Sequence, residues 1–342
     1  HGGPNRSPKP HHSTGLILHE VPVLRETTRA RIDAVRRMAA TLRSISPDVV
    51  EVPAGSLWLL GVRGPGCPVI VTAHGFPSKD LIPTHDRLLA RQLANRGKAV
   101  LVANTERLRK PLDQTIGVKA GTSITLPAGT DDEPTEETQE FRELLRDSFG
   151  FADDEQVVVG LGRLVHDKRY DLLIDVADRL RSQAEAASKR PPRFIVVGDG
   201  PELATLQAEV TRRGLDETVR FVGHITAPGG YLLGADAFLH PSDTEGAPFS
   251  VMEALLAGTP VVATAVGGVP DLVNTPLEGR VVAPGDVDGL VEALAAELEA
   301  PGGVSDSMAR RDARAARARS RFSLETMGRA HLELIERLAG RG

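Results

Sequence analysis

Four side chains in the second half of the chain are of types that can serve different parts of one anionic ligand. Arg163 and Lys168 lie close together in GRLVHDK, and Glu245 and Glu253 bracket the start of an apolar run in TEGAPFSVMEALLAGTP. An arginine offers a planar fork of donors and a lysine a point charge, so the two together suit a diphosphate. The plainer reading of such a pair is a solvated loop. Between the glutamates, Pro248 fits the first helical position, which puts the N-cap on Ala247. Neither Ala247 nor Gly246 has a side-chain oxygen to occupy the free amides. Backbone N–H groups from about Phe249 and Ser250 are then open to an anion at the positive end of a helix. The alternative is that both acids merely complement the helix dipole.

These residues need strands to position them, and the surrounding pattern supplies strands. Short apolar stretches alternate with amphipathic ones, the signature of an α/β chain with parallel sheets. QVVVGLGRL, RFIVVGDG, VRFVGHI, AFLHPS, PVVATAVGG and RVVAPG read as six strands. Helical patterns separate them at 170–188, 201–214, 228–235 and 249–258. Four stretches, GLGRLVHDKRYDLLIDV with Gly162, VVGDGPEL with Gly198, VRFVGHI ending at Ile225 and TEGAPFSVMEALLAGTP, lie where strands end, as does Gly267-Gly268, and ligands of open α/β sheets bind outside the carboxyl ends of strands. Each glycine is equally a tight turn.

In the first half, residues 15–23, 48–53, 68–75, 98–105 and 123–131 read as strands, and 27–45 and 86–97 as helices. DDEPTEETQE holds six acids and a proline in ten residues. No core accepts such a stretch, so it reads as a linker. The expected organisation is a first domain over 1–131, the acidic linker at 132–140, a second domain over 141–322 and a closing helix at 323–342. An Ala/Arg-rich helix is expected over 304–319. The opening HGGPNRSPKPHHSTG has no periodicity, and the first domain reads as shortened at its start.

With 342 residues the chain suits two domains. A net charge of -5 argues against nucleic-acid binding. Cys67 is the single cysteine, which leaves no intramolecular disulfide and fits a reducing, cytoplasmic setting. No apolar run is long enough to span a bilayer. Two stretches, 25–43 and 310–321, hold six arginines each. They read as solvated faces, with peripheral contact to an anionic membrane as the alternative.

GRLVHDK, VVGDGPEL, VRFVGHI, ADAFLHPSDTEGAPFSVMEALLAGTPVVATAVGGVPDLV and RVVAPGDVDGLVEAL together resemble, in order and spacing, the retaining GT-B glycosyltransferases of family 4. The likeness covers about 155–300, with Glu245 to Glu253 as its E-x7-E motif. In the first half, SPDVVEVP, VIVTAHGF and ITLPAGTD resemble the family's strands more loosely, with Glu51 where a histidine is usual and Ala128 replacing an asparagine. The resemblance implies two Rossmann-like domains facing across a cleft, and transfer of a sugar from a UDP- or GDP-sugar to an acceptor hydroxyl of a glycan, lipid or small molecule. Arg163 and Lys168 would bind the diphosphate, aided by Gly162, Gly198 and amides from Gly246, Ala247, Pro248, Phe249 and Ser250. Glu245 would hold the donor sugar, Glu253 the ribose and backbone near Ile225 the base. His74 would reach the sugar from the first domain. No metal or other cofactor is implied, and DVD at 286–288 reads as structural. The competing readings are a non-catalytic nucleotide-sugar-binding remnant and another GT-B enzyme, such as an epimerase.

Overall fold

The computed structural model describes residues 28–54, 56, 66–80, 82–130, 138–299 and 308–340. The strand expected at 15–23, the Gly-Gly opening and most of the acidic stretch lie outside them. The first sheet orders β1 (Val50–Pro53), β2 (Val69–Ala73), β3 (Ala99–Ala103) and β4 (Ile124–Thr125) side by side, all parallel. Val69, Ile70 and Val71 are all fully buried. That is the run expected of a parallel strand covered on both faces, not an alternation.

Helices α1 (Thr28–Ile45), α2 (Thr84–Asn95) and α3 (Glu106–Ile116) accompany this sheet. The α3 helix was not among the expected elements. Its core residues Leu108, Leu112 and Ile116 recur every fourth position, but ERLRK and the internal Pro111 hide the stripe. The expected strand at 123–131 shrinks to two residues, because beyond Leu126 the backbone leaves the sheet for the second half of the molecule.

The second sheet has six parallel strands: β5 (Val157–Leu161), β6 (Arg193–Val197), β7 (Val219–Gly223), β8 (Ala237–His240), β9 (Val261–Thr264) and β10 (Gly279–Val282). Their spatial order is β10-β9-β8-β5-β6-β7. The chain therefore runs outward from β5 in one direction, then returns to β8 and runs outward in the other. Around the sheet lie α4 (Thr138–Phe149), α5 (Tyr170–Ala186), α6 (Leu203–Arg212), α7 (Gly229–Gly234), α8 (Phe249–Leu256), α9 (Val269–Leu272), α10 (Val287–Leu298) and α11 (Met308–Phe322). The α4 helix starts within the stretch expected to be linker, and its Phe141 and Leu145 pack on Gly230 and Gly234 of α7. Asp286 of DVD is the N-cap of α10, accepting from the Gly289 amide at 2.8 Å, while Asp288 pairs with Arg179.

The last helix, α12 (Leu324–Ala339), returns to the first sheet, where Leu334 and Leu338 pack with Ile70, Val102 and Leu126. The two crossings of the chain run side by side. The Thr130 amide donates to the Phe322 carbonyl at 3.0 Å, and Thr130 bridges Ser323.

The arginine-rich stretch at 310–321 fits neither surface reading. Arg311 and Arg314 are 1% and 0% exposed. Arg311 donates to the carbonyls of Leu233 and Ala235, and Arg314 to those of Gly258 and Leu277. The carbonyls of Leu233, Ala235 and Gly258 lie at or just beyond the C-termini of α7 and α8, where a cation satisfies acceptors left free by the helix and opposes its dipole, while that of Leu277 lies in the loop before β10. In α1, by contrast, Arg36, Arg37 and Arg43 are exposed. Among the described residues, no helix is long and apolar enough to cross a membrane.

Candidate functional site

β5 and β8 are neighbours at the point where the strand order reverses, so the loops leaving their carboxyl ends diverge around a crevice. Lys168 lies in the loop after β5 and Glu245 in the loop after β8, and the two meet as an ion pair on Glu245 Oε1. The same oxygen is 2.7 Å from His240 Nε2. An ionised carboxylate can only accept, so Nε2 carries the proton. His240 is itself buried, stacked on Phe238 and 3.2 Å from Ser242 Oγ.

Glu245 is 7% exposed. Burial alone would push its carboxyl up, but the hydrogen bond and charge of His240 and the ammonium of Lys168 outweigh that and hold it at about 2. It is therefore ionised at neutral pH. Its second oxygen, Oε2, takes no hydrogen bond from the described residues, although the group is almost fully buried. A buried carboxylate with one oxygen anchored and the other unclaimed is suited to receive ligand hydroxyls.

Arg163, expected beside Lys168, is exposed, and its guanidinium has neither an ion pair nor a hydrogen-bond partner among the described residues. The loop it belongs to is braced from below. A Cβ on Gly198 would lie 1.8 Å from the Gly162 carbonyl oxygen, and the Gly162 amide donates to Val197 O at 3.0 Å. The close approach that requires Gly198 is thus made by backbone. Ile225, just beyond β7, is half-buried against the core.

The α8 start differs by one residue from the sequence reading. Pro248 is the N-cap, with extended backbone, and the helix begins at Phe249. Fixing the cap on a proline removes any side-chain oxygen, and no side chain caps this helix. Ala247 points into the core at 5% exposure, so only its backbone is offered to a ligand, whereas Phe249 is 47% exposed. Ser250 is half-buried. The Gly268 amide donates to Gly246 O at 2.7 Å, so β9's glycine turn supports the same loop.

Gly246 is also where the two halves meet. A Cβ there would lie 2.8 Å from Gly75 Cα and 2.9 Å from His74 O. His74, exposed at the end of β2, is thereby brought to the mouth of α8. A cavity of about 200 Å³ beside it is lined by Ala54, Thr72, Phe76 and Ile82. Glu253, on α8, accepts from Thr130 Oγ1 at 3.4 Å, at the chain crossing. Glu51 accepts from Thr72 Oγ1 at 2.6 Å and lies 3.6 Å from His331 Nε2 of α12. It ties the returning helix to the first sheet.

Lys168, Glu245, the α8 start and the His74 loop are thus assembled at one place. His240, Asp243 and Arg169 are also there, and sequence reasoning did not single them out. AFLHPS identified a strand, yet nothing in it signalled that His240 turns back under Glu245.

Comparison with known proteins follows the same division of the chain. Residues 141–319 match the family model described as glycosyl transferases group 1, and residues 2–129 match a glycosyl transferase 4-like domain. The 2-deoxystreptamine glucosyltransferase of Streptomyces kanamyceticus is 30% identical over 74% of this chain and 69% of its own length. The D-inositol 3-phosphate glycosyltransferase of Kribbella flavida is 31% identical over 84% of this chain and 71% of its own. The chain spans about two thirds of the length of the curated relatives it matches. Among solved structures, Anabaena HepE in complex with UDP superposes with a TM-score of 0.73 at 23% identity, over 88% of this chain and 82% of that one. The two facing parallel sheets are therefore a GT-B fold, and the chain belongs to the group 1 glycosyltransferases, the family 4 type.

Proposed function

We propose that the chain transfers a glycosyl group from a nucleoside diphosphate sugar to an acceptor hydroxyl, with retention of the anomeric configuration. The observation that carries this reading is Glu245, a buried carboxylate kept ionised by Lys168 and His240 beside an uncapped helix start. That combination offers an acceptor for sugar hydroxyls next to donors for a diphosphate, which are the two halves of one substrate.

In this reading Arg163, Lys168 and the amides at the start of α8 hold the diphosphate, Glu253 the ribose and backbone near Ile225 the base. His74 approaches the transferred sugar from the opposite sheet. The bond from the anomeric carbon to the donor phosphate breaks while a bond to the acceptor oxygen forms on the same face. The acceptor's proton passes to the departing phosphate oxygen. Charge grows on that phosphate in the transition state, so fixed cations and amides aimed at it lower the barrier more than they tighten ground-state binding. Those cations would do a metal ion's work of neutralising the departing diphosphate, and the reaction is proposed to need none.

The relatives' names support the donor chemistry. Another is a GDP-mannose-dependent mannosyltransferase of Mycolicibacterium smegmatis, 34% identical over 52% of this chain. The test is a panel of UDP- and GDP-sugars with glycan, lipid and small-molecule acceptors, run with and without EDTA. Transfer that survives EDTA and keeps the anomeric configuration is the expected result. Tight binding without turnover across the panel would leave a nucleotide-sugar-binding protein, and interconversion of sugars without an acceptor would leave an epimerase.

A further inference from the structure

Arg169 follows the site lysine directly, and its backbone is unusual. It has φ 53 and ψ 44, the left-handed region that glycine adopts freely and a long side chain avoids. Among the described residues, only Ser46 and Ser188 share a positive φ without being glycine. A residue kept in such a conformation is held there by its surroundings, and the inference runs from the outlier to a use for it.

Its surroundings are specific. Arg169 Nη1 donates to both carboxylate oxygens of Asp243, at 3.0 and 2.9 Å. Its Nε and Nη2 donate to Asp171 in the first turn of α5. Asp243 in turn donates its amide to the Asp167 carbonyl at 2.8 Å. Two consecutive cations of the loop after β5, Lys168 and Arg169, thus grip Glu245 and Asp243 of the loop after β8. Their partners differ in setting. Glu245 is buried in the crevice, whereas Asp243 is exposed on its outer side.

We propose that Arg169 is a positioning residue, whose Nη1, shared between both carboxylate oxygens of Asp243, locks the loop carrying Arg163 and Lys168 onto the loop carrying Glu245, so that both cations face the donor's diphosphate. This rests on the donor-site reading above. Starting α5 does not require an arginine here, since glycine takes the same backbone angles without strain. What glycine cannot supply is the guanidinium that bridges two carboxylates, with Nε and Nη2 on Asp171 and Nη1 on Asp243 across the crevice. Without it the hydrogen bonds that join the two loops, among the described residues, would be the Lys168–Glu245 ion pair in the crevice and the Asp243 amide at the rim.

The test uses the full chain and titrates UDP, GDP and the two free nucleosides by calorimetry, alongside thermal unfolding. Arg169→Gly is expected to unfold at the parent's temperature or above it, while affinity for UDP or GDP falls about tenfold, the scale of one weakened hydrogen bond to a charged group. Nucleoside affinity is expected to stay as in the parent. Asp243→Asn, which keeps the backbone bond to Asp167, should weaken the diphosphate in the same way, and the double variant should be no weaker than either single one. If Arg169→Gly does not fold, Asp243→Asn carries the same comparison. Unchanged UDP and GDP affinity in a less stable Arg169→Gly would overturn the proposal and leave Arg169 a helix-start residue. Lys168→Ala separates this from failure of the donor-site reading. If it weakens diphosphate binding while Arg169→Gly does not, only the positioning role falls. If Lys168→Ala changes nothing, the donor-site reading falls and takes the positioning role with it.

Discussion

Two buried glutamates stand at opposite ends of the same sheet. Glu245 follows the carboxyl end of β8 and Glu278 precedes the amino end of β10, and they are 7% and 1% exposed. Both are paired with cationic or protonated nitrogens. Glu278 spends both oxygens: Oε1 takes Arg317 and Arg321 from α11, and Oε2 takes the Asn274 and Thr275 amides and the Thr275 hydroxyl. Glu245 spends only Oε1 on the described residues. The difference teaches that burial and ion pairing do not by themselves mark a functional acid. A saturated carboxylate at the amino end fastens an element, whereas a half-satisfied one at the carboxyl end, where ligands of α/β sheets bind, has capacity left for a substrate.

Breaking the structural half of the comparison should have the largest effect on the fold. Glu278→Ala removes the carboxylate shared by two guanidinium groups and the acceptor of the Asn274 and Thr275 amides, and is expected to lower the unfolding free energy by about 3 kcal/mol in urea titrations. UDP or GDP affinity of the folded protein should stay as it is. Arg163→Ala should do the reverse. Exposed and unpaired among the described residues, Arg163 adds little to the fold, so the thermal midpoint should hold. Turnover with the active nucleotide sugar should fall roughly 100- to 1,000-fold.

Glu253→Ala sharpens the comparison within the site. It should weaken nucleoside diphosphate binding about tenfold, the scale of a hydrogen bond to a charged group, as read by calorimetry. A further difference should appear in pH dependence. Glu245 titrates near 2 in the fold against an ordinary 4.5, so its ionised form stabilises the fold above pH 4.5. That contribution should fade as the pH drops from 4.5 towards 2. Urea midpoints measured across this window should lose part of their slope in Glu245→Gln.

The second sheet was the more legible part of the sequence. Its strands are unbroken apolar runs such as VVV and FIVV, buried on both faces, and all six expected strands are present. The α3 helix escaped because tertiary packing of Leu108, Leu112 and Ile116 overrides a polar, proline-containing local sequence. At the site, Lys168 and Glu245 were readable from strand-end position and residue type. His240, Asp243 and Arg169 were not, since each acts by a contact between loops that only the strand order brings together. The buried arginines of α11 were misjudged for a related reason. Six arginines in a row of alanines read as surface until the carbonyl ends of α7 and α8 are seen beneath them.

The most direct measurement is a crossed one, Glu245→Gln against Glu278→Gln, each assayed for turnover with the preferred nucleotide sugar and for unfolding midpoint. Glu245→Gln is predicted to lose turnover by about 100-fold, as for a group acting on the reacting substrate, whatever its shift in midpoint. Glu278→Gln should lose stability and keep turnover. A fully active Glu245→Gln, or the same loss of turnover in both variants, would contradict this prediction.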